Sequence, residues 1–173
     1  MEKIASVVFG ACALLLIAAD PAAAIEERAV GRVSVIDGDT LELHGLRIRL
    51  AAIDAPESRQ TCRRAHEVWP CGRRAAFALA DHVGARTVSC QWRARDRYGR
   101  PVAKCTIAGA DLAAWMVEQG WALAFRRYGT DYVPHERRAR AAGRGLWSGA
   151  FVPPWAWRRG NGVEVSAESY LGS

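Results

Sequence analysis

Apolar and polar residues alternate over residues 29–43, interrupted at Asp37-Gly38-Asp39. That pattern predicts a strand, a tight Asp-Gly turn and a second strand. A third strand follows over residues 46–53, entered through a turn at His44-Gly45 and stopped by Pro56. Residues 57–70 are polar and read as a loop. The period then changes: Ala76, Phe77, Ala80 and Val83 share one face of a helix predicted over residues 73–83, with Gly84 ending it. Residues 87–92 and 102–107 read as two more strands around an arginine-rich turn over 95–101. Asp111 is placed to cap a helix that runs through Glu118 and ends at Gly120. Residues 121–125 read as a short strand or extended segment, and residues 134–142 as a third helix ended by Gly143 and Gly145. From Ser148 onward, Pro, Gly and Trp predict an irregular tail. Five strands interleaved with three helices describe an α+β, mainly β chain: a small barrel with helices packed on it.

The start of the chain follows different rules. Met1-Glu2-Lys3 precede an apolar run over residues 4–19, then Asp20-Pro21 and the alanines Ala22, Ala23 and Ala24. A charged start, an apolar stretch and a small-residue end predict a signal peptide cleaved after Ala24. A run of about sixteen residues is short for a membrane span, so no stable membrane insertion is expected after cleavage. Cys12 lies inside the run and not at its end, which argues against a lipid anchor there. The expected organisation is a signal peptide at 1–24, one domain at 25–148 and the tail at 149–173. The expected location is the periplasm or the medium, and the expected state is a monomer.

Composition changes the picture in two ways. Removing Glu2, Lys3 and Asp20 with the signal peptide leaves 23 basic and 16 acidic residues, a net charge of +7. A basic exported domain points to a polyanionic partner. All the basic residues except Lys3 and Lys104 are arginine, which pairs with phosphate through two parallel bonds. Removing Cys12 leaves Cys62, Cys71, Cys90 and Cys105, an even number that reads as two disulfides in an exported chain. Three pairings are possible. Neighbour pairing, Cys62 with Cys71 and Cys90 with Cys105, is the most economical. The spacings lack the close Cys-x-x-Cys pairs of zinc modules.

Candidate chemistry concentrates where the early strands end. Asp37, Asp39, Asp54 and Glu57 sit at or just beyond strand ends, Arg49 sits on a strand, and Arg97-Tyr98-Gly99-Arg100 forms a second basic element. Carboxylates beside guanidiniums suit a hard metal ion together with a phosphate. Each piece alone has an ordinary reading. Asp-Gly-Asp is a common hairpin turn, Asp54 to Glu57 a strand exit, Arg49 a charge on the barrel surface, and residues 97–100 a plain turn.

Taken together and in order, the motifs resemble the staphylococcal nuclease (thermonuclease) family over roughly residues 30–147. They are Ile36-Asp37-Gly38-Asp39-Thr40, the run Arg-Leu-Ala-Ala-Ile-Asp-Ala-Pro-Glu from Arg49 to Glu57, Asp96-Arg97-Tyr98-Gly99-Arg100, the helix end from Met116 to Gly120, and Gly145-Leu146-Trp147. The resemblance implies a five-stranded OB-type β-barrel with three packed helices. It also implies a calcium-dependent endonuclease acting on DNA and RNA with low sequence selectivity and leaving 3′-phosphate ends. By the same resemblance Asp39, Asp54 and the main-chain carbonyl of Ala55 would hold calcium, with Asp37 an acid close behind them. Glu57 would be the general base, and Arg49 and Arg100 the phosphate-clamping arginines. Arg97, Tyr98 and Tyr128 would contact substrate. Arg126 stands where the family has a second aromatic residue in its nucleotide pocket, so it is counted as a substrate contact with altered stacking. The loop after Glu57 is a few residues longer than the family's.

Two rivals come from other classes. A catalytically silent OB-fold module that only binds nucleic acid predicts loss of at least one of Asp39, Asp54, Glu57, Arg49 and Arg100, and all five are present. An envelope protein binding anionic glycans or lipid explains charge and export, but not arginines beside metal-type carboxylates. His44, His66, His82 and His135 are assigned surface or packing roles. Trp155 and Trp157 are expected to pack back onto the barrel, with stacking on bases as the alternative.

Overall fold

The computed structural model describes residues 26–160 and 162–172. The expected signal peptide lies outside the described residues. In chain order the strands are β1 (Glu27–Gly31), β2 (Ser34–Asp37), β3 (Thr40–Leu43), β4 (Leu46–Leu50), β5 (Ile53–Asp54), β6 (Cys62–Arg64), β7 (Glu67–Trp69), β8 (Val88–Arg95), β9 (Pro101–Ile107), β10 (Ala110–Asp111) and β11 (Leu123–Ala124). The helices are α1 (Cys71–Val83), α2 (Leu112–Glu118), α3 (Val133–Ala141) and α4 (Pro154–Trp157).

The main sheet runs β1-β8-β9-β4-β3-β2, with β10 added on β9, and it curls until β1 also lies against β3. This is an OB-type α+β fold. The sequence predicts five barrel strands; breaks in two of them add two, and the short strands β6, β7, β10 and β11 make up the rest of the eleven among the described residues. The first divides at Arg32-Val33, so that β1 pairs with β8 while β2 pairs with β3. The third divides at Ala51-Ala52, where Ala52 takes a left-handed φ of 55°. Beyond that corner β5 leaves the main sheet and pairs with β11. Period-2 alternation continues through such a corner, so the pattern alone shows one strand.

The barrel core is filled by Leu41, Leu43, Ile48, Leu50, Val88, Ile107 and their neighbours, closed over by Leu79 of α1 and Leu112 and Met116 of α2. Asp111 caps α2 as expected, accepting from the amides of Ala113 (2.9 Å) and Ala114 (3.2 Å). The buried face of α1 differs from the predicted one. It is Cys71, Gly72, Ala75, Leu79 and Val83, and Phe77 is 63 % exposed. Ala75, Leu79 and Val83 repeat every four residues and form one rail. Phe77 lies two residues from Ala75, on the far side of the helix.

The largest departure lies after Glu57 and at the C-terminus. The predicted loop over 57–70 contains a small hairpin, β6 with β7. The predicted irregular tail is packed. Ala150 and Arg63 exchange backbone hydrogen bonds at 2.8 Å each way, and Phe151 and Val165 do the same at 3.0 and 2.8 Å. Phe151, Tyr170, Trp147, Leu146, Trp69 and the Cys62–Cys71 disulfide form a second buried cluster outside the barrel. Trp155 stacks on Phe125 at 5.6 Å, so it does pack back. Both disulfides follow neighbour pairing: Cys62–Cys71 and Cys90–Cys105, the latter joining directly opposed residues of β8 and β9. Among the described residues no helix is long and apolar enough to cross a membrane.

Candidate active site

The site is built at one end of the sheet by three local decisions of the chain. The first is the turn from β2 to β3. The Asp37 carboxylate accepts from the Asp39 amide at 3.0 Å, a short local bond that fixes the turn. Gly38 sits so close to its neighbours that a Cβ there would lie 2.7 Å from Ala55 Cβ, so the turn requires glycine. Asp39 is thereby tucked inward and is buried. The second decision is strand register. Thr40 lies opposite Arg49 across β3 and β4, which brings the Arg49 guanidinium to the Asp39 carboxylate at 3.2 and 3.0 Å. The third is the corner at Ala52. It carries Asp54, 0 % exposed, back toward Arg49, whose Nη2 donates to Asp54 Oδ1 at 2.8 Å. The Ala55 amide then donates to Asp39 Oδ2 at 3.1 Å. Asp39, Arg49, Asp54 and Ala55 thus form one connected group.

Glu57 follows Pro56 and is held by its backbone. Its amide donates to the buried Gln60 side chain at 3.3 Å, and its carbonyl accepts from the Gln60 amide at 2.7 Å. The start of α1 presses on the same place. A Cβ at Gly72 would sit 1.7 Å from the Glu57 carbonyl oxygen, so no other residue fits there. The Glu57 side chain itself is 40 % exposed.

The second basic element forms its own cluster. Asp96 accepts from the amides of Tyr98 (2.9 Å) and Arg100 (3.0 Å), and from Arg100 Nε at 2.8 Å. Tyr98 is 69 % exposed, with the guanidiniums of Arg97 and Arg100 4.8 and 5.6 Å from its ring. Parallel pairing of β4 with β9 sets Arg49 opposite Val102, so Arg100 belongs to the same end of the sheet as Arg49.

Comparison with known proteins gives the chain its family. The family described as Staphylococcal nuclease homologue matches residues 47–149. The chain belongs to that family. It is 39 % identical over 142 residues to the succinoglycan biosynthesis protein ExoI of Rhizobium meliloti (strain 1021), covering 78 % of this chain and 72 % of that protein. It is 38 % identical over 134 residues to an uncharacterized endonuclease of Escherichia coli O157:H7, covering 73 % and 82 %. It is 36 % identical over 167 residues to a micrococcal nuclease of Shigella flexneri, covering 86 % and 90 %. As a staphylococcal-nuclease-family protein it is a nuclease, a hydrolase of phosphodiester bonds.

Within that family frame, two residues stand out for what they touch. Arg126, expected against the substrate, donates to Glu136 at 2.6 Å and to the Tyr170 hydroxyl at 3.4 Å. Glu136 is buried and also accepts from the Ala124 amide at 3.0 Å, so Arg126 clamps β11, α3 and the tail together. Tyr128 is exposed and meets Phe125 edge-on at 5.1 Å, making a short aromatic row with Trp155. The other residue is Arg158, which sequence reasoning missed as a site residue. Its Nη1 donates to Glu57 at 2.7 Å and to Asp54 Oδ1 at 3.0 Å, and its Nη2 to Asp54 Oδ2 at 2.8 Å. The signal for it was slight: two arginines after a Trp-Ala-Trp run, about a hundred residues from the acids they meet.

The electrostatics are those of a crowded anionic pocket. Burial, with the like charges of Asp37 and Asp54, pushes Asp39 up to about 7 despite the opposing pull of Arg49. Burial pulls the Arg158 guanidinium down, but its bonds to Asp54 and Glu57 outweigh this and raise it above its ordinary value. Among the described residues no three acids close into a ready metal cage. The donor chemistry nevertheless fits a hard cation: two buried carboxylates, a neighbouring carbonyl and a third carboxylate, with a guanidinium bridging Asp54 and Glu57 as a positive charge would.

Proposed function

We propose that this nuclease is an exported, calcium-dependent endonuclease that cuts DNA and RNA with little sequence selectivity and leaves 3′-phosphate ends. The observation that carries the reading is that one guanidinium, Arg49, bonds Asp39 and Asp54 together while Glu57 stands beside Asp54. Asp39, Asp54 and the Ala55 carbonyl would hold calcium, and Asp37 keeps Asp39 turned inward through its amide. Bound there, the ion would polarise a phosphoryl oxygen and orient water. Glu57 takes the proton from the attacking water. Arg49 and Arg100 present flat forks to the phosphoryl oxygens as charge builds on them. Arg97, Tyr98 and Tyr128, exposed on the same barrel, steady the strand on either side, while Arg126 acts behind them by holding the segment that carries Tyr128. The 5′-oxygen departs, and the phosphate stays on the 3′ end.

A binding-only module is the second reading. It is favoured by the Arg158 contact, which ties up Glu57. Incubation with plasmid DNA and with single-stranded RNA, in calcium or in chelator, separates the two. Cleavage in calcium alone, with 3′-phosphate ends, supports the enzyme. A salt-sensitive gel shift with no cleavage in calcium supports the module.

A further inference from the structure

Arg158 occupies the oxygens that the proposed chemistry needs. Asp54, with no exposed surface, spends both carboxylate oxygens on arginine: Oδ1 on Arg49 and Arg158, Oδ2 on Arg158. Glu57 spends Oε1 on the same Arg158 guanidinium at 2.7 Å. A divalent cation held by Asp54 and a guanidinium bridging Asp54 to Glu57 are like charges competing for the same acceptors.

The segment that delivers Arg158 has its backbone held on both sides, and the freedom lies in the Arg158 side chain. Pro153 and Pro154 lead into α4, and the Val152 carbonyl accepts from the buried Gln60 side chain at 2.6 Å. Trp155 is stacked on Phe125. Past that point the amides of Arg158, Arg159 and Gly160 bond back to Pro154, Ala156 and Trp157, and Val165 pairs with Phe151, but the side chains open to solvent. Trp157 is 37 % exposed and the Arg158 side chain 39 % exposed. A solvent-open cleft of about 400 Å³ lies between Glu57, Ser58, Arg59, Trp157 and Arg158, with room to receive the guanidinium if it leaves the acids.

We infer that Arg158 is a tethered cation that exchanges with the metal. It bridges Asp54 and Glu57 in the metal-free protein and swings into the cleft when calcium takes those oxygens. The inference rests on the calcium reading above. It makes the tail a latch: the latched form pairs Asp54 and Glu57 with a cation, and the released form leaves both Glu57 oxygens free to accept a proton.

The experiment is isothermal titration of calcium into wild type, Arg158→Gln, Arg158→Lys and Arg159→Gln, with hydrogen–deuterium exchange of the wild type in calcium and in chelator. If the latch is closed about nine-tenths of the time, Arg158→Gln binds calcium about tenfold more tightly, because the competent fraction rises toward one. Arg158→Lys keeps the charge but not the two-pronged bridge, and falls between wild type and Arg158→Gln. Arg159→Gln removes the same charge next door and stays within about twofold of wild type. In the wild type, calcium raises exchange over residues 153–160. Calcium affinity equal to or weaker than wild type in Arg158→Gln overturns the exchange, and so does unchanged protection of residues 153–160. If neither wild type nor Arg158→Gln binds calcium, the calcium reading falls and the exchange falls with it. If wild type binds but the variant gains nothing, the exchange alone falls.

Discussion

Glu136 and Asp39 are both carboxylates buried against arginine, and they do different things. Glu136 meets Arg126 and one backbone amide, and every neighbour named for it favours its charge. Burial raises its pKa, with nothing of like charge nearby to add to the effect. Asp39 meets Arg49 and a backbone amide too, but Asp37 and Asp54 press on it with like charge. The first is a closed account of donors and acceptors that joins α3 to the tail. The second has more acid than its arginines neutralise. A buried ion pair with satisfied partners is a structural joint; a surplus of buried carboxylate is a place for a cation.

That contrast can be broken by substitution, and the largest effect is expected on turnover. Arg49→Lys and Arg100→Lys each lower cleavage by about 10²–10³-fold, because a lysine cannot present a two-pronged clamp to the developing charge. Steady-state assays on a single-stranded oligonucleotide check this, with circular dichroism showing that the fold is kept. Glu136→Gln should do the reverse. It costs about 2–3 kcal/mol of stability, less than a fully buried pair because Arg126 is 26 % exposed, and it leaves the chemical step alone. Urea unfolding in calcium measures it.

The pH dependence sharpens the same comparison with a smaller effect. Asp39 sits near 7 when folded and near 3.8 in the unfolded chain, so the folded state holds the extra proton between those values. Its contribution is therefore favourable at the acid end and is lost as pH rises from about 4 through about 7. In chelator, wild-type stability falls over that window more steeply than that of Asp39→Asn. Equal slopes in the two proteins would remove the crowding from the account.

The barrel and most of the acid cluster were legible because their signals are local. Alternation marks the strands, the Asp-Gly turn sets Asp39, and register across β3 and β4 places Arg49. What escaped was set at long range. The corner at Ala52 needs a left-handed alanine, which no alternation pattern announces. The face of α1 was misplaced because Phe77 outweighs Ala75 in any hydrophobic count, yet the tight approach of Gly38 to α1 favours the small residue. Packing back of Trp155 was expected, but the tail's other anchors were missed for a related reason. Phe151, Tyr170 and Arg158 find partners in the hairpin of residues 62–69, in α3 and in the acids, and proline-rich sequence carries no period to reveal it.

The most direct test of the central claim is a calcium titration of cleavage for wild type, Glu57→Gln and Asp39→Asn on one single-stranded oligonucleotide. The account predicts that wild type cuts in calcium and stops in chelator. Glu57→Gln stays nearly silent at every calcium concentration, because it lacks the base, while Asp39→Asn recovers part of its activity as calcium rises, because it lacks only a ligand charge. Rescue of Glu57→Gln by excess calcium with none for Asp39→Asn would reverse those roles, and wild-type cleavage by both would place the active site elsewhere.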